Sequence, residues 1–339
     1  MLLCSPIREE SYTVARSNDR PAISVIIPTW SRSDLVCRCL DSLSAQTFAD
    51  VEWIVVDDGS TDDTVDVVTR GFPRARVVSM PDNRGFAVAT NAGIRAANGA
   101  WLFLLNNDMT LEPNCLARLW AARDQADMLA PLVLWDGDRE TIYSAGDRIA
   151  PDGRPESWGF RAARGTFTPP PRVFGVSAGA GLFRREVFER VGALEESFGA
   201  YFEDADLCFR ARLAGFTAAF AGDAVAYHIG SASIQGRTWW RSVQCYRNHG
   251  LLVIRNMPAS LLLRHGPAIL RERIHQFGRA FSAVRTELGA ARALVRCLGA
   301  WLSLCARLPR AIACRRRIQG MRVLPIADLR VLLEEGKHG

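Results

Sequence analysis

Three short polar groups could bind one ligand together, because each of them directly follows a run of apolar residues. They are Pro28-Thr29-Trp30, Asp57-Asp58-Gly59-Ser60 and Asn106-Asn107-Asp108. Carboxylate and amide oxygens of this kind suit a hydrated divalent cation such as Mg²⁺. Any one group could be an ordinary turn, but three in succession favour a shared binding site.

A fourth polar group, Glu203-Asp204-Ala205-Asp206, precedes a helical pattern. A carboxylate can act as a general base toward a hydroxyl group. If the helix begins at Asp204, its N-terminal dipole favours the ionised form that a base requires. For Asp206 we favour a structural role, because it stands four residues before Arg210 and could form a helical ion pair.

Apolar runs and turn residues predict the elements that would position these groups. Buried strands are predicted at Ile23–Pro28, Val51–Val56, Ala75–Ser79 and Trp101–Leu105, with helices at 33–46 and Phe86–Asn98. This alternation predicts a mostly parallel sheet with right-handed crossovers. Ligands bind such sheets at the carboxyl ends of the strands, where the first three polar groups stand.

The second half of the domain is less regular. The pattern predicts a variable loop or small hairpin region over 136–172. Further on it predicts regular structure at Val176–Phe183, helices at Arg184–Val191 and Asp204–Ala214, and short strands at Thr217–Phe220 and Ala224–His228. Beyond residue 236 the sequence is Arg-rich and helical.

Charge divides the chain into two unequal parts. Residues 1–236 hold 23 Arg and 31 acidic residues, whereas residues 237–339 hold 18 Arg, one Lys and 5 acidic residues. The basic tail could be a solvated surface, a nucleic-acid patch or a membrane anchor. We favour the membrane surface, because Ala290–Leu308 mixes Leu, Trp and Arg at helical spacing. No nucleic-acid module accompanies the charge.

Several functional classes are disfavoured. The first strand is followed by neither G-x-G-x-x-G nor G-x-x-x-x-G-K-[ST], so a dinucleotide dehydrogenase or a P-loop enzyme is not expected. Nine scattered cysteines predict reduced thiols. Residues 1–20 predict a loose leader without a signal peptide, and no run of about eighteen uncharged apolar residues predicts a membrane span.

Five motifs resemble glycosyltransferase family two. In order they are ISVIIPTW, VVDDGSTDDT, NRGFAVATNAGIRAANGAWLFLLNNDM, SAGAGLFRREVFERVGALEESFGAYFEDADLCFRARLAGF and HIGSAS. They are most similar to the bacterial rhamnosyltransferase-like branch that builds surface polysaccharides, which YRNHGLLVIRNMP in the tail also resembles. The resemblance covers about residues 22–233 and implies a GT-A domain, a Rossmann-like α/β nucleotide-diphospho-sugar transferase fold, at 21–235, after the leader at 1–20. A basic helical extension at 236–339 would follow.

The resemblance also implies a nucleotide site. Pro28, Thr29 and Trp30 would line the base pocket, with the indole ring facing the nucleobase. Asp58 would accept a hydrogen bond from a ring N–H of the base, and its neighbour Asp57 has a more ambiguous role. The second nucleotide contact would come from Asn83, Arg84, Gly85 and Asn91.

Metal and catalytic positions follow from the same resemblance. Asn106 and Asp108 occupy the D-x-D positions, and His228 would complete the site for Mg²⁺ or Mn²⁺. Asn106 departs from the family pattern, because an amide brings no charge. The base would be Asp204, Glu203 would position the acceptor, and the segment Gly179-Ala180-Gly181 would lie close to the sugar. Tight packing under a strand is an equal alternative for the two glycines.

The implied function is inverting transfer of a sugar, with rhamnose as one candidate. The donor would be a UDP-, dTDP- or GDP-sugar, and the acceptor a hydroxyl of a glycan or a lipid-linked glycan in cell-surface polysaccharide biosynthesis. The protein would be cytoplasmic and peripheral at the inner face of the membrane. One alternative is a non-catalytic nucleotide-sugar-binding scaffold, suggested by Asn106. A sugar nucleotidyltransferase is disfavoured, because Pro28–Asp34 lacks a Gly-rich basic loop.

Overall fold

A nine-stranded sheet forms the centre of the N-terminal part of the molecule. The structure is a computed structural model that describes residues 20–230 and 238–335. The strands are β1 (Ile23–Thr29), β2 (Val51–Asp57), β3 (Ala75–Ser79), β4 (Trp101–Leu105), β5 (Met109–Leu111), β6 (Met128–Trp135), β7 (Asp138–Ser144), β10 (Ala180–Arg184) and β11 (Ala218–His228), and a separate hairpin pairs β8 (Asp147–Ile149) with β9 (Pro155–Ser157). The predicted leader and the last residues of the HIGSAS motif, 231–233, lie outside the described residues.

The strand order is β3-β2-β1-β4-β10-β6-β11-β5, and β7 pairs in addition with the end of β6. Strands β3, β2, β1, β4, β6 and β11 run in one direction, whereas β10, β5 and β7 run in the other. The predicted α/β class with a mainly parallel sheet is therefore confirmed.

Helices cover both faces of this sheet. They are α1 (Ser33–Ser44), α2 (Thr64–Gly71), α3 (Phe86–Ala96), α4 (Cys115–Ala122), α5 (Arg185–Val191) and α6 (Glu203–Leu213). Side chains of α1 and α4 pack on one face, and those of α3, α5 and α6 pack on the other. The central strands β1, β2 and β4 are buried on both faces, which explains their continuous apolar runs.

One detail differs from the sequence-based prediction. The two short strands predicted at Thr217–Phe220 and Ala224–His228 form one strand, β11, whose pairing with β6 is interrupted between Ala221 and Val225. Pro131 of β6 pairs with Ala221 at this irregularity. Proline cannot donate to the ladder, so the pairing breaks where the proline stands.

The C-terminal part is a layer of four helices within residues 238–335: α7 (Thr238–Asn256), α8 (Ala259–Leu288), α9 (Ala290–Gly320) and α10 (Ile326–Glu334). Their apolar side chains share a core with the sheet domain, in which Phe198 and Phe209 meet Leu251 and Leu252. Helix α9 is long and apolar enough to cross a membrane by length and composition alone, although it contains no run of about eighteen uncharged residues. Only 28% of its apolar window is buried.

Candidate active site

The ends of β1 and β2 lie side by side, because Thr29 pairs with Asp57 in a parallel register. The backbone N–H of Asp58 donates to the carbonyl of Thr29 at 2.9 Å. Asn107 extends the contact to the end of β4, since its amide donates to the Thr29 hydroxyl at 2.9 Å. Trp30 projects from this edge with 53% of its surface exposed, so its ring is available to stack on a planar ligand.

Asp58 holds the turn that contains Asn83, Arg84 and Gly85. Its two carboxylate oxygens accept the backbone N–H groups of Arg84 and Gly85, each at 2.8 Å. Burial raises the pKa of Asp58, and these two hydrogen bonds oppose the rise. Each carboxylate oxygen can accept a second hydrogen bond, so Asp58 can support this turn and still contact a base.

The amide of Asn91 is used within the protein. It accepts from the N–H of Leu194 at 2.9 Å and donates to the carbonyl of Leu194 at 2.9 Å. It also donates to the carboxylate of Glu196 at 3.1 Å. Asn91 is 4% exposed, and its hydrogen bonds tie α3 to the segment before α6.

Asp108 and His228 meet beyond the ends of β4 and β11, and Asn106 directly follows β4. The Nε2 atom of His228 lies 3.2 Å from Oδ1 of Asp108, at ion-pair distance but without hydrogen-bond geometry. This arrangement follows from β5, which connects Asp108 to the sheet by pairing Met109 with His228. The backbone N–H of Asn106 donates to the carbonyl of Gly179 at 2.8 Å.

These three side chains fit a divalent cation. The side-chain oxygen Oδ1 of Asn106 and Oδ1 of Asp108 are both buried without a hydrogen-bond partner. Within the described residues no cluster of three His, Cys, Asp or Glu side chains is available to a metal. A cation here would therefore need oxygens from its ligand or water as well, which is how Mg²⁺ is commonly bound beside phosphates.

Glu203 and Asp204 stand in the first turn of α6. One oxygen of Asp204 accepts from the Ser177 hydroxyl at 3.3 Å and from the N–H of Ala178 at 3.4 Å, and the other accepts from the N–H of Ala205 at 2.8 Å. Glu203 is 6% exposed, and its Oε2 atom is buried without a partner. Burial, followed by the charge of Asp204, raises the pKa of Glu203 well above its usual value.

Burial also raises the pKa of Asp204, against the hydrogen bonds from Ala205, Ala178 and Ser177. Two adjacent carboxyl groups in one buried site cannot both ionise easily. The environment therefore favours a protonated Glu203 beside an ionised Asp204.

Three residues that sequence reasoning missed lie close to these positions. Tyr143 packs edge-on against His228 with ring centroids 4.3 Å apart. Burial raises its pKa, and its hydroxyl is near enough to feel the charges of Asp108, Asp147 and Asp204. Tyr143 therefore lies beside the expected metal position and within electrostatic range of the expected base.

Asp147 and Tyr201 are the other two. Burial, followed by the charge of Asp204, raises the pKa of Asp147 to about 7, although the Ser157 hydroxyl donates to its carboxylate at 2.7 Å. The hydroxyl of Tyr201 is buried without a partner, and burial raises its pKa to about 12. Both Asp147 and Tyr143 lie near Gly146 in the sequence. An isolated glycine often marks a backbone turn, and this one is a signal that could have indicated a candidate site within 136–172.

The backbone before Glu203 is strained. Tyr201 and Phe202 have φ angles of 67° and 74°, which cost about 1–3 kcal/mol each for residues other than glycine. Such conformations persist only where the surroundings impose them, and they cluster at functional sites.

Gly179 and Gly181 have different environments. A Cβ atom on Gly181 would lie 2.6 Å from the carbonyl oxygen of Ser177, so the small size of this residue lets β10 pack closely against the segment before it. A Cβ atom on Gly179 would lie 3.3 Å from the amide nitrogen of Asn106. Ala180 is 4% exposed and belongs to the core.

Asp206 has the structural role predicted for it. It is fully buried and pairs with Arg210 at 2.7 Å and with Arg255 of α7 at 2.9 Å. Burial alone would raise its pKa, but Arg255 and Arg210 lower it to about 2. The ion pair with Arg210 is therefore confirmed, and a second one with α7 is added.

Comparison with known proteins identifies the family of the segment that carries Asp58, Asn106 and Asp108. Residues 24–192, about half of the chain, match the family described as glycosyl transferase family 2. The chain belongs to glycosyltransferase family 2. Its fold is that of the GT-A transferases, since the mannosyltransferase PcManGT from Pyrobaculum calidifontis, solved in complex with GDP-Man and Mn²⁺, superposes with a TM-score of 0.54 at 21% identity over 90% of this chain and 86% of that one.

Curated relatives match over shorter segments. The O-antigen biosynthesis protein RfbC of Myxococcus xanthus is 34% identical over 190 residues, which is 55% of this chain and 14% of RfbC. The hyaluronan synthase of Pasteurella multocida is 32% identical over 139 residues, which is 40% of this chain and 13% of the synthase. This family 2 chain therefore spans only a small part of the length of these relatives.

Proposed function

We propose that the chain is an inverting glycosyltransferase that uses a nucleoside-diphosphate sugar and a divalent cation. One observation carries the proposal: the segment Ala178–Gly179 lies between the expected metal position and the expected base. The N–H of Ala178 donates to Asp204, and the carbonyl of Gly179 accepts from Asn106. A sugar lying against this segment would have its diphosphate on one side and its acceptor on the other.

On the donor side, Trp30 would stack on the base and Asp58 would accept from a ring N–H, while Pro28, Thr29 and Asp57 shape the pocket. Asn83, Arg84 and Gly85 would contact the nucleotide from the turn that Asp58 holds, and Asn91 would position the segment at 194–196. Asp108, His228 and the oxygen of Asn106 would hold Mg²⁺ or Mn²⁺. When bound, the cation supplies positive charge to the leaving diphosphate.

On the acceptor side, Asp204 would take the proton of the attacking hydroxyl. Glu203, whose pKa is raised well above its usual value, would donate a hydrogen bond and orient the acceptor. Ionised Asp204 is required, so transfer should increase as pH rises through its raised pKa.

The decisive experiment compares wild type with Asp204→Asn. Purified protein is first screened by thermal shift against UDP-, GDP- and dTDP-sugars, with and without Mg²⁺ or Mn²⁺, to find the donor. Transfer from that donor to a glycan or lipid-linked glycan is then measured. The variant should lose transfer while keeping donor affinity, and Asp124→Asn, at an exposed side chain, should keep both.

Full transfer by Asp204→Asn would overturn the assignment of the base. Metal-dependent donor binding by wild type without transfer or hydrolysis would favour the scaffold alternative. Transfer that persists after exhaustive chelation would remove the proposed role of the cation.

We further propose that α9 binds an anionic membrane surface, which would bring the cytoplasmic enzyme to a lipid-linked acceptor in surface-polysaccharide biosynthesis. Exposed apolar side chains form one stripe at helical spacing: Leu294, Val295, Leu298, Trp301 and Leu302, each at least 49% exposed. Arg292 and Arg296 lie beside them, so the helix matches an interfacial helix in both apolar and charged character.

Vesicles test this proposal. Binding to phosphatidylglycerol vesicles should exceed binding to phosphatidylcholine vesicles and should weaken with salt. The double variant Leu298→Ser/Trp301→Ser should reduce it at least tenfold, whereas Val331→Ser, at an exposed residue of α10, should not. Equal binding by the double variant would refute the proposal, and so would binding of RNA but not vesicles.

A further inference from the structure

Two Arg-Asn pairs in α7 contact the chain on either side of Glu203 and Asp204. They are Arg247-Asn248 and Arg255-Asn256, both within the segment YRNHGLLVIRNMP. Asn248 and Arg255 are seven residues apart, close to two helical turns, so they lie on the same face of α7. Neither pair belongs to the donor, metal or base positions described above.

The first pair contacts the segment that leads into α6. The amide nitrogen of Asn248 lies 3.0, 2.9 and 2.7 Å from the carbonyl oxygens of Phe198, Ala200 and Tyr201. Arg247 donates to the carbonyl of Phe198 at 2.5 Å and to the side-chain oxygen of Asn248 at 2.8 Å. The hydrogen bond from Arg247 to the Asn248 side-chain oxygen fixes the orientation of the Asn248 amide, so its N–H groups point at the three carbonyls.

The second pair contacts Asp206, which lies in the first turn of α6 after Glu203 and Asp204. Arg255 and Asn256 both donate to the same oxygen of Asp206, at 2.9 and 2.8 Å. Arg255 also pairs with Glu195 at 3.0 Å. Asn248, Arg255 and Asn256 are at most 3% exposed, so water does not compete for these contacts.

The strained residues Tyr201 and Phe202 lie where the contacts of the first pair end and before Asp206, which the second pair contacts. Tyr201 and Phe202 have positive φ angles, and a conformation that costs free energy needs external contacts to persist. The last of the three carbonyls that face Asn248 belongs to Tyr201, the first of the two strained residues. Without them the segment could relax, and Glu203 and Asp204 would move with it.

We propose that the two Arg-Asn pairs of α7 are positioning residues that hold Glu203 and Asp204 in their reactive arrangement. This inference rests on the proposed role of Asp204 as the base. It assigns to the C-terminal helical extension a part in acceptor activation, in addition to any contact with a membrane. The hydrogen bonds and ion pairs that these side chains make outside α7 go to the segment 195–206, so we expect them to act through it.

The test compares Asn248→Ala with Gln276→Ala. Gln276 is a buried amide of α8 whose side chain donates to Glu272 at 2.9 Å, outside the segment 195–206. For Asn248→Ala we expect kcat for transfer to fall about 100-fold, as a displacement near 1 Å can cause, with donor Kd changed less than about threefold. Gln276→Ala should keep kcat, even if its Tm falls comparably.

A second readout does not depend on activity. Amide hydrogen exchange should become faster in 198–205 in Asn248→Ala but stay slow in β4, and Gln276→Ala should leave 198–205 unchanged. If Asn248→Ala does not fold, Arg247→Met provides a milder version, because it removes one carbonyl contact and the support of the Asn248 amide.

The outcomes separate the two proposals. If wild type transfers sugar and a folded Asn248→Ala keeps its kcat, positioning is wrong and the proposed function stands. If wild type does not transfer sugar, the proposed function fails, and hydrogen exchange alone decides the positioning. Unchanged exchange in 198–205 overturns the positioning in either case.

Discussion

Replacing Asp206 with Asn should destabilise the protein strongly, although the two side chains have the same shape. Asp206 is fully buried between Arg210 and Arg255, which are 2% and 3% exposed. The substitution leaves two buried guanidinium groups beside a neutral amide. Glu195 still pairs with Arg255 at 3.0 Å, but no other carboxylate pairs with Arg210 among the described ion pairs.

Two estimates bound the expected loss in the free energy of unfolding for Asp206→Asn. The pKa of Asp206 falls from 3.8 to about 2 in the folded protein, which stabilises the folded state by about 2.5 kcal/mol when the group is ionised. Removing one partner of a buried ion pair costs about 3–5 kcal/mol, because the other charge stays buried. We therefore expect a loss of about 3 kcal/mol at pH 7.

The stability that Asp206 contributes should depend on pH in a definite direction. A lowered folded pKa contributes stability that is fully present above the unfolded pKa, near 4, and is lost as pH falls from there toward 2. The difference between wild type and Asp206→Asn should therefore be constant from pH 5 to 7 and shrink below pH 4.

Urea unfolding measures this difference, with the slope m serving as a check on two-state behaviour. The matched control is Asp66→Asn, because Asp66 and Arg70 form an ion pair with the same i,i+4 spacing at 68% and 78% exposure. The control should change the unfolding free energy by less than about 0.5 kcal/mol. A loss below about 1 kcal/mol for Asp206→Asn would refute the reasoning.

Three further predictions concern the site. Asp147→Asn should stabilise the protein at pH 8 by up to about 4 kcal/mol but not at pH 4, because a folded pKa raised from 3.8 to about 7 makes wild type lose stability as pH rises through that window; equal urea midpoints at pH 8 would contradict this. Asn106→Asp should tighten Mn²⁺ binding, followed by calorimetry, about tenfold or more through the added charge, and unchanged affinity would remove Asn106 from the metal site. Gly59→Ala should cost about 1–3 kcal/mol and weaken donor binding, since φ is +71° and the new Cβ would lie 2.6 Å from the backbone of Asp82; Gly137→Ala, which meets nothing within 4 Å, is the control for both measurements.

The first half of the fold could be predicted because the sequence of each of its strands is enough to identify it as a strand. β1, β2 and β4 are continuous apolar runs ended by polar residues, and their order along the chain follows the β-α-β rhythm. β6 was harder to predict, because Pro131 within it argues against a central strand. The structure accommodates that proline at the irregularity of β11, a property of the partner strand that is not visible in the segment itself.

The region 136–172 could not be interpreted for a different reason. Two of its three strands, β8 and β9, have three residues each and form a hairpin outside the main sheet, so no hydrophobic period marks them. Asp147 and Tyr143 enter the site through this region. Their importance comes from burial and from distant carboxylates, which depend on tertiary structure alone.

Residue type alone also does not indicate how a polar group is used. Asn91 and Asn106 are both amides in motifs of the same family, and both were expected at the ligand. The structure satisfies every polar atom of the Asn91 side chain within the protein, whereas the side-chain oxygen of Asn106 is buried without a partner. A buried acceptor without a partner costs free energy, and a bound ligand or cation can offset that cost. Asn106 is therefore the better candidate for a binding residue, although it departs from the family pattern.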